Sequence, residues 1–157
     1  MLDKMLALFE IIPDHDLDIM QQRQTLTHVT TTTLVRIEDV LKQEKPDIVL
    51  VHGDTSTSFV SGLAAYYQQI PVGHVEAGLR TGDKYNPFPE EINRRLIDTV
   101  ADLLFAPTRA AADALIAENA DPAAIYITGN TVIDALLTVA DKPEPADLLP
   151  HVPPDAR

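Results

Sequence analysis

One apolar run, too short for a helix, sets the limits on this chain. Asp47-Ile48-Val49-Leu50-Val51 follows Pro46 and stops at Gly53-Asp54. A continuous run of this kind, unlike an alternating one, suits a parallel strand covered on both faces. Thr55, Ser56, Thr57 and Ser58 then offer caps for a helix with Phe59, Leu63 and Tyr66 on one stripe, and Pro71 introduces a second short strand, Val72 to Val75. Strand, helix and strand in this span form a βαβ unit, whose right-handed crossover sets the two carboxyl ends side by side. Asp54 and Glu76 therefore emerge on one edge of the sheet, where open α/β folds bind ligands.

The alternation extends in both directions. Residues 1–12 carry a short amphipathic helix that ends before Pro13, and PDHDLDIM reads as a loop with an edge strand. From Thr25 to Glu44 the spacing of Leu26, Val29, Leu34, Ile37, Val40 and Leu41 is helical, weakened by the β-branched run Thr30 to Thr33. Residues 77–89 form a loop longer than the usual connection, a length that marks functional loops. Pro89 suits the first turn of the next helix. There Ile92, Leu96 and Val100 are expected toward the core, with Glu90 and Arg94 together on the opposite face. Leu103 to Ala106 and Ile125 to Thr128 read as further strands, separated by a helix from Thr108 to about Ala120, and Asn130 with Thr131 caps a final helix. The class is α/β with a mostly parallel sheet. One domain is expected over residues 1–140. Residues 141–157 hold Pro143, Pro145, Pro150, Pro153 and Pro154 of the chain's twelve prolines and read as a linker or loose tail.

Composition narrows the chemistry. With no cysteine, thiol nucleophiles and zinc-thiolate sites are excluded. A formal net charge of −12 argues against nucleic-acid and anionic-membrane partners, which need a basic face. No apolar run is long enough to span a bilayer and the first residues carry acids where a signal peptide carries cations, so a cytoplasmic location is expected. Neither a Walker loop nor G-x-G-x-x-G occurs. Arg80, Lys84, Arg94 and Arg95, four of the twelve Lys and Arg residues, fall within positions 80–95 and mark where an anion would land.

The charged stretch from His52 to Arg95 holds the candidate chemistry. Each member also has a plainer reading. Asp54 suits a helix cap, Glu76 a satisfied buried acid, Glu90 with Arg94 a surface ion pair worth little, and His52 and His74 packing or hydrogen bonding at strand ends. Two carboxylates at adjacent strand ends are nevertheless a functional pattern, because mutual repulsion lets one hold a proton while the other does not. His52, Asp54, His74 and Glu76 would also serve as ligands of a metal-dependent phosphatase.

At HGDT (52–55), HVEAGLRTGDKYNPFPEEINR (74–94) and TGNTVIDALL (128–137) the sequence resembles the non-hydrolysing UDP-N-acetylglucosamine 2-epimerases. The resemblance implies a Rossmann-like domain of the GT-B type, the first of two that close over a UDP-sugar. It also implies isomerase chemistry, with UDP-GlcNAc and UDP-ManNAc interconverted for cell-surface polysaccharide synthesis by elimination and re-addition of UDP through a 2-acetamidoglucal. Carried over residue by residue, Asp54, Glu76 and Glu90 match the catalytic carboxylates and Arg94 the substrate-contacting arginine, while Arg80 falls where an allosteric or phosphate-contacting role is implied. No cofactor and no metal is implied, and a homodimer is. The family's G-T-R-P-E turn and G-Q-H motif have no counterpart in this sequence, nor do the H-R-R-E-N-type motif and nucleotide-gripping turn of the second domain. The expectation is a domain truncated at its N-terminus and lacking its second domain, a fragment with low or no activity alone. The alternative is a non-catalytic nucleotide-sugar-binding or dimerisation module.

Overall fold

The computed structural model describes residues 2–142, so the segment expected as a tail lies, from Pro143 on, outside the described residues. Four strands form one parallel sheet: β1 (Val49–His52), β2 (Val72–Val75), β3 (Leu103–Ala106) and β4 (Ile125–Ile127). The helices are α1 (Leu2–Leu8), α2 (Leu26–Glu44), α3 (Ser56–Tyr67), α4 (Glu90–Val100), α5 (Arg109–Ala117) and α6 (Thr131–Ala140), with a 3₁₀ turn at Pro122–Ala124. The β-α alternation is the expected one. Residues 14–20, however, form no strand.

Local chemistry explains the boundaries. Thr25, Thr55 and Thr108 each accept a backbone N–H of the helix they open, and Asn130 does so for α6. Lys45, in the left-handed region, closes α2 ahead of Pro46. The threonine run in α2 is tolerated because Thr33 is fully buried against the fold, so packing outweighs propensity.

The strand order β1-β2-β3-β4 never reverses. Each right-handed crossover therefore lays its helix on the same face of the sheet. Leu41 of α2, Val51, Ala64 and Ala65 of α3, Val72 and Ile97 of α4 form one core cluster there, and Ala77, Leu104, Ala106, Ala111, Ala112 and Leu115 form the second. Full burial of each large side chain in them contributes about 1.5–3 kcal/mol. The other face is open among the described residues: Leu50 is 61% exposed and Tyr126 49%. Two-sided cover of the first strand, expected from its continuous apolar run, is thus corrected; an apolar residue on a strand does not require a helix above it in the same segment.

Two helices present different faces from those their apolar spacing suggests. In α3 the buried positions are Val60, Gly62, Ala64 and Ala65, with Tyr66 turned to solvent. In α4 the buried residues are Glu91, Asn93, Arg94 and Ile97, while Ile92 and Leu96 are partly exposed. The inward face of α4 is polar because its first turns abut the strand ends and the long loop, where backbone groups and charges need partners.

Candidate active site

Both strands that carry the expected carboxylates end in a left-handed residue. Gly53 follows β1 with φ +69°, and Glu76 follows β2 with φ +70°. Glycine takes this conformation freely; for glutamate it costs about 1–3 kcal/mol, a strain that clusters at functional sites. The ladder continues past His52↔Val75 with the Gly53 N–H donating to the Val75 carbonyl at 2.9 Å, so the two turns lie against each other. A Cβ on Gly53 would lie 3.6 Å from Glu76 Oε2, which sets the Glu76 carboxylate beside the residue that precedes Asp54. His52 Nε2 stands 3.5 Å from the same oxygen.

Helix α4 completes the group from below. Arg94 Nη2 donates to Asp54 Oδ2 at 2.5 Å, and Nη1 lies 3.6 Å from Glu91 Oε2. Asn93 Nδ2 donates to the Asp54 carbonyl at 2.9 Å, so the Asp54 turn is gripped at side chain and backbone. Arg94 does not pair with Glu90, as its spacing suggested. The i,i+3 neighbour Glu91 is its helical partner, because Arg94 points inward. Buried Nε of Arg94 has no acceptor among the described residues. Leaving such a donor unpaired costs about 1–3 kcal/mol.

Glu91 is the residue that the sequence did not single out. It is fully buried and accepts the backbone N–H groups of Thr81 and Gly82 at 3.1 and 3.2 Å, pinning the long loop to α4. Burial pushes its carboxyl up, but those two N–H groups, the Thr81 side chain and Arg94 together outweigh burial and hold it below the ordinary value. The signal available in the sequence was a glycine-containing loop with orphan N–H groups next to a paired Glu-Glu helix start. Glu90 itself sits partly buried in the first turn of α4 and makes no side-chain hydrogen bond among the described residues.

Arg80 belongs to a different group. Its Nη2 donates to Asp98 Oδ2 and to Glu118 Oε2, each at 2.8 Å, and Arg95 Nη2 reaches Glu118 Oε1 at 2.8 Å. Burial disfavours the Arg80 charge, yet the bonds to Glu118 and Asp98 outweigh it and raise its pKa. The hydrogen bond from Arg80, with that from Arg95, outweighs the upward push of burial and lowers Glu118 to about 2. The four clustered cations thus divide: Arg94 faces the strand ends, Arg80 and Arg95 share Glu118, and Lys84 lies over the Tyr85 ring. A cleft of about 420 Å³ beside the second group is lined by Arg80, Arg95, Asp98, Asp102, Glu118 and Asp121. With more acids than cations, it is a poor seat for an anion.

His74 is fully buried, with Nδ1 2.5 Å from Asp98 Oδ1 and Nε2 2.9 Å from the Gly53 carbonyl. Both ring nitrogens are taken, so it is not free to ligate a metal. Among the described residues no three His, Asp or Glu side chains are grouped to hold a metal ion.

The geometry therefore offers two carboxylates at adjacent strand ends, with a buried arginine under one of them that keeps an unused donor. Comparison with known proteins shows the family. The family model for UDP-N-acetylglucosamine 2-epimerase matches residues 1–150. The UDP-N-acetylglucosamine 2-epimerase of Bacillus subtilis strain 168 is 59% identical over 138 residues, covering 88% of this chain and 36% of its own length. That of Escherichia coli strain K12 is 51% identical over 165 residues, covering 100% of this chain and 44% of its own length. A crystal structure of UDP-GlcNAc 2-epimerase from Neisseria meningitidis bound to UDP-GlcNAc superposes with TM-score 0.85 at 51% identity, over 90% of this chain and 38% of that one. The chain spans about two fifths of the length of these relatives.

Proposed function

We propose, from the premise that this chain belongs to the UDP-N-acetylglucosamine 2-epimerase family, that it carries one wall of a non-hydrolysing epimerase site. The substrate is UDP-GlcNAc, interconverted with UDP-ManNAc. The C2–H bond of this sugar has no adjacent carbonyl to acidify it, so direct deprotonation is too slow. Loss of UDP from C1 as a carboxylate removes the C2 proton gives a glucal. Protonation of C2 on the opposite face and return of the same UDP oxygen to C1 complete the inversion, with no net gain or loss of atoms.

The residues supply what those steps need. A base and an acid must stand near C2, and Asp54, Glu76 and Glu90 fill these roles between them. Negative charge is also needed near C1 as it becomes electron-poor, and a cation near the departing diphosphate, which falls to Arg94. The reaction belongs in the cytoplasm, where nucleotide sugars are made, in a homodimer of the whole protein. Among the described residues no helix is long and apolar enough to cross a membrane.

One observation carries the reading. Arg94, from the start of α4, meets Asp54 at 2.5 Å on the edge that also presents Glu76, and it keeps a buried donor free. The test is to complete this chain with the remaining segments of the Bacillus subtilis relative and incubate it with UDP-GlcNAc in D₂O. Deuterium should appear at C2 together with UDP-ManNAc, and the chain alone should bind the nucleotide sugar without exchange. A folded, completed protein that binds UDP-GlcNAc yet leaves C2 unlabelled would overturn the proposal.

A further inference from the structure

We infer that His74 is a positioning residue, the strut that sets the Asp54 turn against helix α4; the inference deepens the epimerase reading and rests on it. His74 is fully buried, so it touches no substrate. A carbonyl oxygen only accepts, so the 2.9 Å contact to Gly53 requires Nε2 to carry a hydrogen and donate it. With Nε2 donating, the 2.5 Å contact of Nδ1 with Asp98 Oδ1 is a hydrogen bond only with a second proton between them, and that pair fixes the plane of the ring.

Gly53 is the left-handed residue immediately before Asp54, and its carbonyl sets how the Asp54 turn leaves β1. The other oxygen of Asp98 accepts the Gly78 N–H at 3.3 Å and Arg80 Nη2 at 2.8 Å. One carboxylate on α4 thus indexes both turns, the Asp54 turn through His74 and the Glu76 loop through Gly78 and Arg80. The same helix carries Arg94 and Glu90. His74, Asp98 and Arg80 together fix the relative placement of three proposed catalytic carboxylates without approaching the reacting atoms.

An apolar side chain would fill the β2 position at lower desolvation cost, since a buried ionisable network is a poor source of stability. What the network provides is placement. Displacement of a reacting group by about 1 Å lowers rate on the order of 10²-fold while leaving substrate affinity alone.

The experiment compares three variants in the completed protein. His74→Gln keeps a donor at the Nε2 position toward Gly53, His74→Asn keeps contact with Asp98 only, and His74→Leu keeps neither. The expected result is a loss in kcat of about 30- to 100-fold for Asn and Leu, KM within about threefold, and a return to within about tenfold of the parent for Gln. Wild-type kcat in a folded Asn or Leu variant would sink the assignment, as would a Gln variant no better than Leu, or a change confined to KM. A ¹⁵N-histidine NMR spectrum of the unmutated 157-residue chain supplies an arm that needs neither activity nor a stable variant. The His74 Nε2–H should be protected from solvent exchange, and exchange as fast as that of exposed His52 would refute the strut. If the completed parent shows no C2 exchange, the epimerase reading fails by itself and the NMR arm still decides whether the strut exists.

Discussion

On one side of helix α4, Arg94 joins Asp54 and Glu91; one turn further on, Asp98 joins His74 and Arg80, and Arg80 leads to Glu118 and Arg95. Both groups are acid-base clusters drawn from the same stretch of sequence. The second is saturated: Asp98 receives three donors and both oxygens of Glu118 are bound. In the first, Arg94 keeps an unpaired Nε, and the side chains of Asp54 and Glu76 remain 28% and 25% exposed at the strand ends. Hydrogen-bonding capacity left over at an exposed edge is what a ligand uses, and capacity fully consumed holds the chain in shape. Charge alone does not separate the two.

Substitution should separate them with opposite signatures, and these are the largest effects expected. In the completed protein Asp54→Asn and Glu76→Gln should each lower the C2 exchange rate by about 10²- to 10⁴-fold. Urea midpoints of the same variants should correspond to stability changes within about 1 kcal/mol. Asp98→Ala should cost about 3–5 kcal/mol by stranding buried His74 and taking one of the two acid partners from Arg80. A destabilised Asp54→Asn beside a stable Asp98→Ala would reverse the comparison.

Next in size is a steric test of the turn that links the clusters. A Cβ on Gly78 would lie 2.3 Å from the Ala111 carbonyl oxygen and 2.9 Å from Leu115 Cγ, at a φ of +84°. Backbone cannot yield as a flexible side chain can, so Gly78→Ala should cost about 3 kcal/mol or more in urea unfolding. Gly82 has φ +80° but open space around it, and Gly82→Ala should cost only the conformational part, about 1 kcal/mol. Equal costs would show that φ, not contact with α5, governs both.

How much of this was legible beforehand follows from what periodicity encodes. Short apolar runs between helical spacings give the strands, the helices and the edge on which Asp54 and Glu76 emerge. They do not give the face of a helix whose inward side is polar. The spacing of Ile92 and Leu96 pointed them inward although both are partly exposed, and Glu91, one residue from the singled-out Glu90, carried no distinguishing mark. His74 was visible as a histidine inside a four-residue apolar strand, but its partner Asp98 lies 24 residues on, and only the crossover brings them together. The open sheet face was likewise invisible, since an apolar run reports what a strand tolerates, not what covers it.

A smaller effect probes the saturated cluster by pH. Glu118 is lowered from 4.5 to about 2 by its bond from Arg80, so its pairing adds stability above the unfolded value. That contribution is lost as pH falls from about 4.5 through about 2. The side chain is 36% exposed, so screening reduces the contribution to about 1 kcal/mol. Urea midpoints between pH 6 and pH 2.5 should fall more steeply for the parent than for Glu118→Gln; parallel curves would show that the pair is idle.

The smallest predicted effect is the one that best tells a site from a scaffold. Glu76 holds φ +70°, a conformation glycine adopts without penalty, and among the described residues its side chain makes no close bond beyond the 3.5 Å approach of His52. If the glutamate is there for chemistry, removing its side chain should relieve strain while abolishing turnover. Glycine also enlarges the freedom of the unfolded chain, which offsets part of the relief. Glu76→Gly should therefore be as stable as the parent or more stable by up to about 1 kcal/mol. Glu76→Ala should be less stable than Glu76→Gly, because it keeps the left-handed strain. Urea unfolding of the three proteins orders them directly. A glycine variant less stable than alanine would mean that Glu76 is held by contacts as Asp98 is, and the distinction between the two clusters would no longer stand.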